Sequence, residues 1–88
     1  YARQDMFGLV MLFTVDKEES AEFGLSIMAS KLIELAHEMD GSFYLPYRNF
    51  ADPEQIKKCY PNFSAFLIKK KEFDPKEILF SGFYNKYR

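Results

Sequence analysis

The residues in this 88-residue sequence best suited to chemistry lie together in Phe43-Tyr44-Leu45-Pro46-Tyr47-Arg48. Tyr44 and Tyr47 can offer hydroxyls to a bound molecule. Arg48 presents a planar fork of donors that grips a carboxylate or phosphate through two parallel hydrogen bonds. Pro46 stiffens the backbone that carries them. A plainer reading stands beside this one: the rings fill a core, and Arg48 pairs with Asp52. Residue types alone leave both open.

Other catalytic arrangements fail on supply. His37 is the only histidine, so any Ser-His or Cys-His dyad must use it. It falls near the C-terminal end of a helical stretch, where the helix dipole favours its charged form, and its expected role is structural. Glu34 and Glu38 share a helix face at a spacing of four, but no metal-type pattern accompanies them, and such pairs are ordinarily solvated surface. The glycines are too scattered to build a phosphate loop. No complete catalytic site is expected within these residues.

Composition narrows the classes further. Twelve Lys and Arg against thirteen Asp and Glu leave a net charge of −1, which gives no electrostatic footprint for nucleic acid or an anionic membrane. The basic run Lys69-Lys70-Lys71 is followed by Glu72 and Asp74 and reads as a solvated helix face. One cysteine, Cys59, rules out an internal disulfide framework and cannot alone form a zinc site. It favours a reducing compartment, and a cytoplasmic location is expected. No apolar run reaches the roughly 18 residues of a membrane span. The sequence starts at Tyr1 rather than Met and shows no signal peptide, so a processed or truncated product is expected. Ten Phe and six Tyr are a heavy apolar load for a chain this small, and some rings are expected to face a partner.

The elements that must position these residues follow from periodicity. Gly8 to Val15 (GLVMLFTV) is apolar on both of its alternating faces, as a strand inside a sheet would be. Its neighbours are not evident in the sequence. Asp16 followed by Glu19 resembles a capping box. Ala21, Leu25, Met28, Leu32, Leu35 and Met39 then recur at helical steps, predicting an amphipathic helix over about 17–39 that Gly41 ends. A second strand is expected at about 42–47, and Pro46 limits it to an edge. Strand, helix and strand would make a βαβ-type unit. Asp52-Pro53, with Gln55 three residues after the aspartate, signals a short helix to about Tyr60. Pro61 opens another helix carrying Phe63, Phe66, Leu67 and Phe73. Asp74-Pro75 begins a last turn through Ile78-Leu79-Phe80, and the tail 81–88 shows no regular period. The expected class is α+β: one domain over 1–88, with a βαβ-type unit followed by C-terminal helices.

The order of these segments is more specific than any one of them. Gly41-Ser42-Phe43-Tyr44-Leu45-Pro46-Tyr47 precedes Asp52-Pro53-Glu54-Gln55, then an aromatic-rich helix with Lys69-Lys70-Lys71, then Phe73-Asp74-Pro75-Lys76-Glu77-Ile78-Leu79-Phe80-Ser81-Gly82. Over roughly Leu32 to Tyr87 this resembles the C-terminal end of FAD-linked oxidases of the vanillyl-alcohol-oxidase type, especially those similar to cytokinin dehydrogenases and sugar-lactone oxidases. The resemblance implies a larger FAD-dependent oxidoreductase that oxidises a small organic substrate by hydride transfer to its flavin. The FAD-binding domain would lie upstream in the same polypeptide and act as partner to this chain. The present residues would be part of a ferredoxin-like cap domain and the return to the FAD domain, and would neither hold FAD nor catalyse alone. By position, Tyr44 falls in the Tyr-Leu-Pro segment near flavin and substrate; Tyr47 and Arg48 are further pocket candidates. Phe83 stands where cytokinin-dehydrogenase-like members carry a cofactor-contacting Gln, which argues against cytokinin as substrate. The rival expectation is a stand-alone interaction or dimerisation domain that uses its surplus aromatics. Either way, the chain by itself is expected to self-associate.

Overall fold

The structure, a computed structural model, describes residues 4–88. Four helices form in chain order: α1 (Glu19–Glu38), α2 (Pro53–Cys59), α3 (Phe63–Phe73) and α4 (Gly82–Tyr87). Among the described residues there is no β-strand. The α+β expectation, with its βαβ unit and ferredoxin-like cap fragment, is therefore corrected to an all-helical fold. The physical reason is the lack of a ladder. A strand needs a neighbour to take its backbone donors and acceptors. The segment 42–47, the one available neighbour, bends at Leu45–Tyr47 and gives the Phe43 carbonyl to the Tyr60 hydroxyl. Residues 8–15 then run without helix or ladder across the surface.

Helix α1 begins later than its sequence signal. Glu18 is its N-cap and makes no side-chain cap bond, so the capping box expected at Asp16 does not form. Its C-terminus closes in a Schellman motif: the Asp40 amide donates to His37 O at 3.0 Å and the Gly41 amide to Ala36 O at 2.7 Å. Asp40, with φ 56°, takes the left-handed position that Gly usually fills. Gly41 is needed for close approach instead, since a Cβ there would lie 2.8 Å from the Ala36 carbonyl oxygen.

The face that α1 buries is rotated from the expected stripe. Ile33 is its buried residue, while Leu35 and Met39 are exposed. From α2, Gln55 reaches across to Ser30, its amide nitrogen 3.0 Å from the backbone oxygen and 2.9 Å from the hydroxyl. That contact satisfies a buried polar side chain, which would otherwise be costly. Helix α2 carries the full capping box read from Asp52-Pro53: Asp52 accepts from the Gln55 amide at 2.8 Å, and Gln55 accepts from the Asp52 amide at 3.1 Å.

The core is small. Ile33, Ala51 and Ile56 form its centre, flanked by Phe43, Leu45, Cys59, Phe63, Phe83 and Tyr87. Helix α3 has no buried residue. The radius of gyration is 14.8 Å, against about 12 Å for a self-contained domain of this length. Apolar side chains including Phe7, Leu9, Leu12, Phe23, Phe73, Leu79 and Phe80 face solvent. Among the described residues no helix is long and apolar enough to cross a membrane.

Candidate functional site

The loop between α1 and α2 carries Tyr44, Tyr47 and Arg48, and its alternation over 43–45 followed by the bend at 45–47 decides which way each faces. Phe43 and Leu45 turn inward onto the core, while Tyr44 and Tyr47 turn out. The two tyrosine rings meet edge-on, their centroids 5.2 Å apart at an interplanar angle of 60°. They are exposed, Tyr47 at 83%, so neither is core filler. Arg48 pairs with Glu22 of α1, not with Asp52, and its guanidinium lies 5.7 Å from the centroid of the Phe50 ring. Asp52 is committed to the α2 cap. Three candidates from the sequence thus share one loop, with Tyr44 and Tyr47 exposed and Arg48 paired to Glu22. An exposed ion pair of this kind contributes at most about 1 kcal/mol, so Glu22 can yield Arg48 to an anionic group at little cost.

The loop is braced from behind. The Tyr60 hydroxyl donates to Phe43 O, and the Phe43 and Tyr60 rings pack edge-on at 5.5 Å. From the far end of the chain, Lys86 donates to Asn49 O, and the Tyr87 hydroxyl donates to Ala51 O at 2.6 Å. Helix α4, absent from the periodicity reading, therefore holds the same loop. Its signal was Ser81, whose Oγ accepts from the Tyr84 amide at 3.2 Å as an N-cap. Phe83 packs between Phe63 (5.7 Å) and Tyr87 (4.9 Å), inside the hydrophobic wall.

The Asp-Pro-x-x-Ile-Leu stretch proves to be a structural clasp. Asp74 accepts from the Ile78 amide at 2.9 Å and the Leu79 amide at 2.8 Å, and pairs with Lys70. Lys70 is thus not part of a solvated face; its ammonium also lies 4.8 Å from the centroid of the buried Tyr84 ring. Glu77, at φ 51°, accepts from the Tyr84 hydroxyl at 2.6 Å and pairs with Arg88 at 3.2 Å. Hydrogen bonding from Lys70 and the Ile78 amide holds the Asp74 carboxyl below its ordinary range. The Tyr84 hydroxyl lowers Glu77 likewise, and Glu77 in turn raises Tyr84.

A groove of about 240 Å³ opens between α1 and α2, lined by His37, Lys58 and Cys59 among others. It brings the only histidine and the only cysteine to one place, which their sequence separation did not suggest. Partial burial pushes the Cys59 thiol up, and Lys58 opposes this only weakly, so Cys59 is not an activated nucleophile. No cluster of three or more metal-ligating side chains exists among the described residues. The volume and the flanking Glu34 and Glu38 do not suit a dinucleotide.

No family model matches the chain, and neither a curated protein nor a solved structure matches it.

Proposed function

We propose that this chain is the C-terminal part of a FAD-dependent oxidoreductase. In that enzyme the Tyr44–Arg48 loop forms one wall of the substrate pocket. The carrying observation is the Tyr44–Tyr47 ring pair beside Arg48, open to solvent on a loop that the rest of the chain braces. The resemblance in the order of Tyr-Leu-Pro and Asp-Pro-x-x-Ile-Leu adds the cofactor class. When bound, the flavin supplies the redox chemistry by accepting hydride from the substrate. This chain's residues would bind and orient: Tyr44 and Tyr47 offer aromatic faces and hydroxyls, and Arg48 exchanges Glu22 for an anionic or strongly polar substrate group. The exposed apolar edge at Phe73, Ile78, Leu79 and Phe80 gives the upstream FAD-binding domain a surface to cover. The unpaired thiol of Cys59 is in keeping with a cytoplasmic setting.

The test uses the full-length gene product. Arg48→Ala and Tyr44→Phe should each raise KM for the oxidised substrate several-fold while the flavin spectrum and content stay as they were. Unchanged KM in both variants would remove the loop from the substrate pocket. A second reading, a non-catalytic interaction or dimerisation domain, is favoured by the exposed apolar run at 7–13. That reading requires a gene product that carries no flavin and takes up none.

A further inference from the structure

The run Phe7–Val15 has no role in the pocket, and it is the largest continuous apolar feature left without cover. Leu12 is 92% exposed and Val10 86%, whereas Met11 and Phe13 are about half covered, at 49% and 53%. Exposure thus alternates along 10–13, the period of an extended chain, while Phe7 and Leu9 before it are fully or largely exposed. Among the described residues no backbone hydrogen bond is made by 7–15. The run holds no charge and no proline. Its flanks carry Arg3 and Asp5 on one side and Asp16, Lys17, Glu18 and Glu19 on the other, and neither Asp5 nor Lys17 is in an ion pair among the described residues.

Counted together, those flanking charges favour one self-pairing, the register in which both Asp5 and Arg3 meet opposite charges. An antiparallel pair centred on Met11 sets Asp5 of each copy opposite Lys17 of the other, with Leu9 facing Phe13 and Val10 facing Leu12. A slip by one residue sets Asp5 opposite Asp16 in one direction and opposite Glu18 in the other. A further residue in the second direction brings it to Glu19. A parallel in-register pair stacks every charge on its like. Opposite charges across a strand pair stabilise it and like charges destabilise it, and slips also exchange the two faces. We propose that residues 7–15 pair antiparallel with the same run of a second copy, about a two-fold axis at Met11, so that the chain dimerises. The dimer is isologous, with Asp5–Lys17 contacts at both ends. Met11 and Phe13, each about half covered, lie on one face of this pair, and Val10 and Leu12 lie on the other. This inference does not depend on the flavin reading.

Sedimentation equilibrium of the 88-residue chain should show a monomer–dimer equilibrium. Asp5→Lys alone and Lys17→Asp alone, both at exposed positions, should each weaken the dimer about tenfold, since each turns both end contacts repulsive. The double variant Asp5→Lys/Lys17→Asp should restore it. The infrared amide I band of antiparallel β-structure should grow with concentration in step with the dimer. A monomer at every concentration overturns the proposal. So does a dimer or larger assembly whose affinity ignores both single changes, or one that the double change does not restore.

Discussion

The Tyr87 hydroxyl donates to the carbonyl of Ala51 at 2.6 Å, joining the last helical turn to the loop that carries Tyr44, Tyr47 and Arg48. The two residues are separated by the whole of α2, α3 and the Asp74 clasp, yet they close the chain around its small core. Through this bond the C-terminus acts on the candidate pocket. Tyr87→Phe removes one part-buried hydrogen bond and leaves the Ala51 carbonyl without its partner, a loss of about 0.5–1.5 kcal/mol. Denaturant unfolding should show that loss, and amide exchange at 44–51 should quicken more than exchange in α1. Equal quickening everywhere would mean that Tyr87 supports the fold in general and not this loop.

The core can be tested at one residue. Ile56 is 1% exposed and sits between Ile33 and Ala51. Ile56→Ala should cost about 2–5 kcal/mol, much of the total stability available to a chain of this size. We expect the variant to lose its cooperative thermal transition at room temperature, read by circular dichroism at 222 nm. A melting point within a few degrees of the parent chain would contradict a core centred here.

Acid should open the C-terminal clasp first. Asp74 and Glu77 both have folded pKa values below their ordinary ones. The stability they contribute is therefore full above the ordinary carboxylate pKa. It is lost as pH falls through that value to the depressed folded one. The raised Tyr84 pKa works in the opposite sense: its contribution is full below the ordinary tyrosine value and is lost as pH rises toward the folded value. Stability followed by urea titration should decline at both ends of the pH scale. In Asp74→Asn the acid decline should be shallower and neutral-pH stability lower, because the Lys70 pair is gone. An acid limb as steep as the parent's would clear Asp74 of this role.

The end of α1 offers a gain. Asp40 holds a left-handed conformation that a glycine adopts without steric cost. Asp40→Gly should stabilise the chain by up to about 1 kcal/mol. Gly41→Ala, whose new methyl would meet the Ala36 carbonyl, should destabilise it. Thermal melts of both variants check the pair, and a stabilised Gly41→Ala would show that the turn relaxes easily.

What the sequence made legible was local. Asp52-Pro53-Glu54-Gln55 foretold its capping box because every partner lies within three residues. The long helix was legible from periodicity, but its buried face was not. The choice between Leu35 and Ile33 depends on α2 docking at Ser30, a contact 25 residues away. The strand expected at 8–15 does not form, because a strand is a relation between segments and the bend at Leu45–Tyr47 leaves this one without a partner among the described residues. Helix α4 escaped notice because six residues show too little periodicity. Tyr44, Tyr47 and Arg48 were legible as a cluster; the Glu22 partner of Arg48 was not, since only the α1 packing brings it near. The Asp74 motif was visible as a pattern, yet its work as a clasp on two amides needed coordinates.

The most direct test of the functional account is the visible absorption spectrum of the full-length gene product, purified without added cofactor. The account predicts a flavin band that a substrate bleaches under anaerobic conditions, and no such band from residues 1–88 alone. A colourless full-length protein that takes up no added FAD would contradict the oxidoreductase reading and leave Tyr44, Tyr47 and Arg48 as a surface for something other than a flavin substrate.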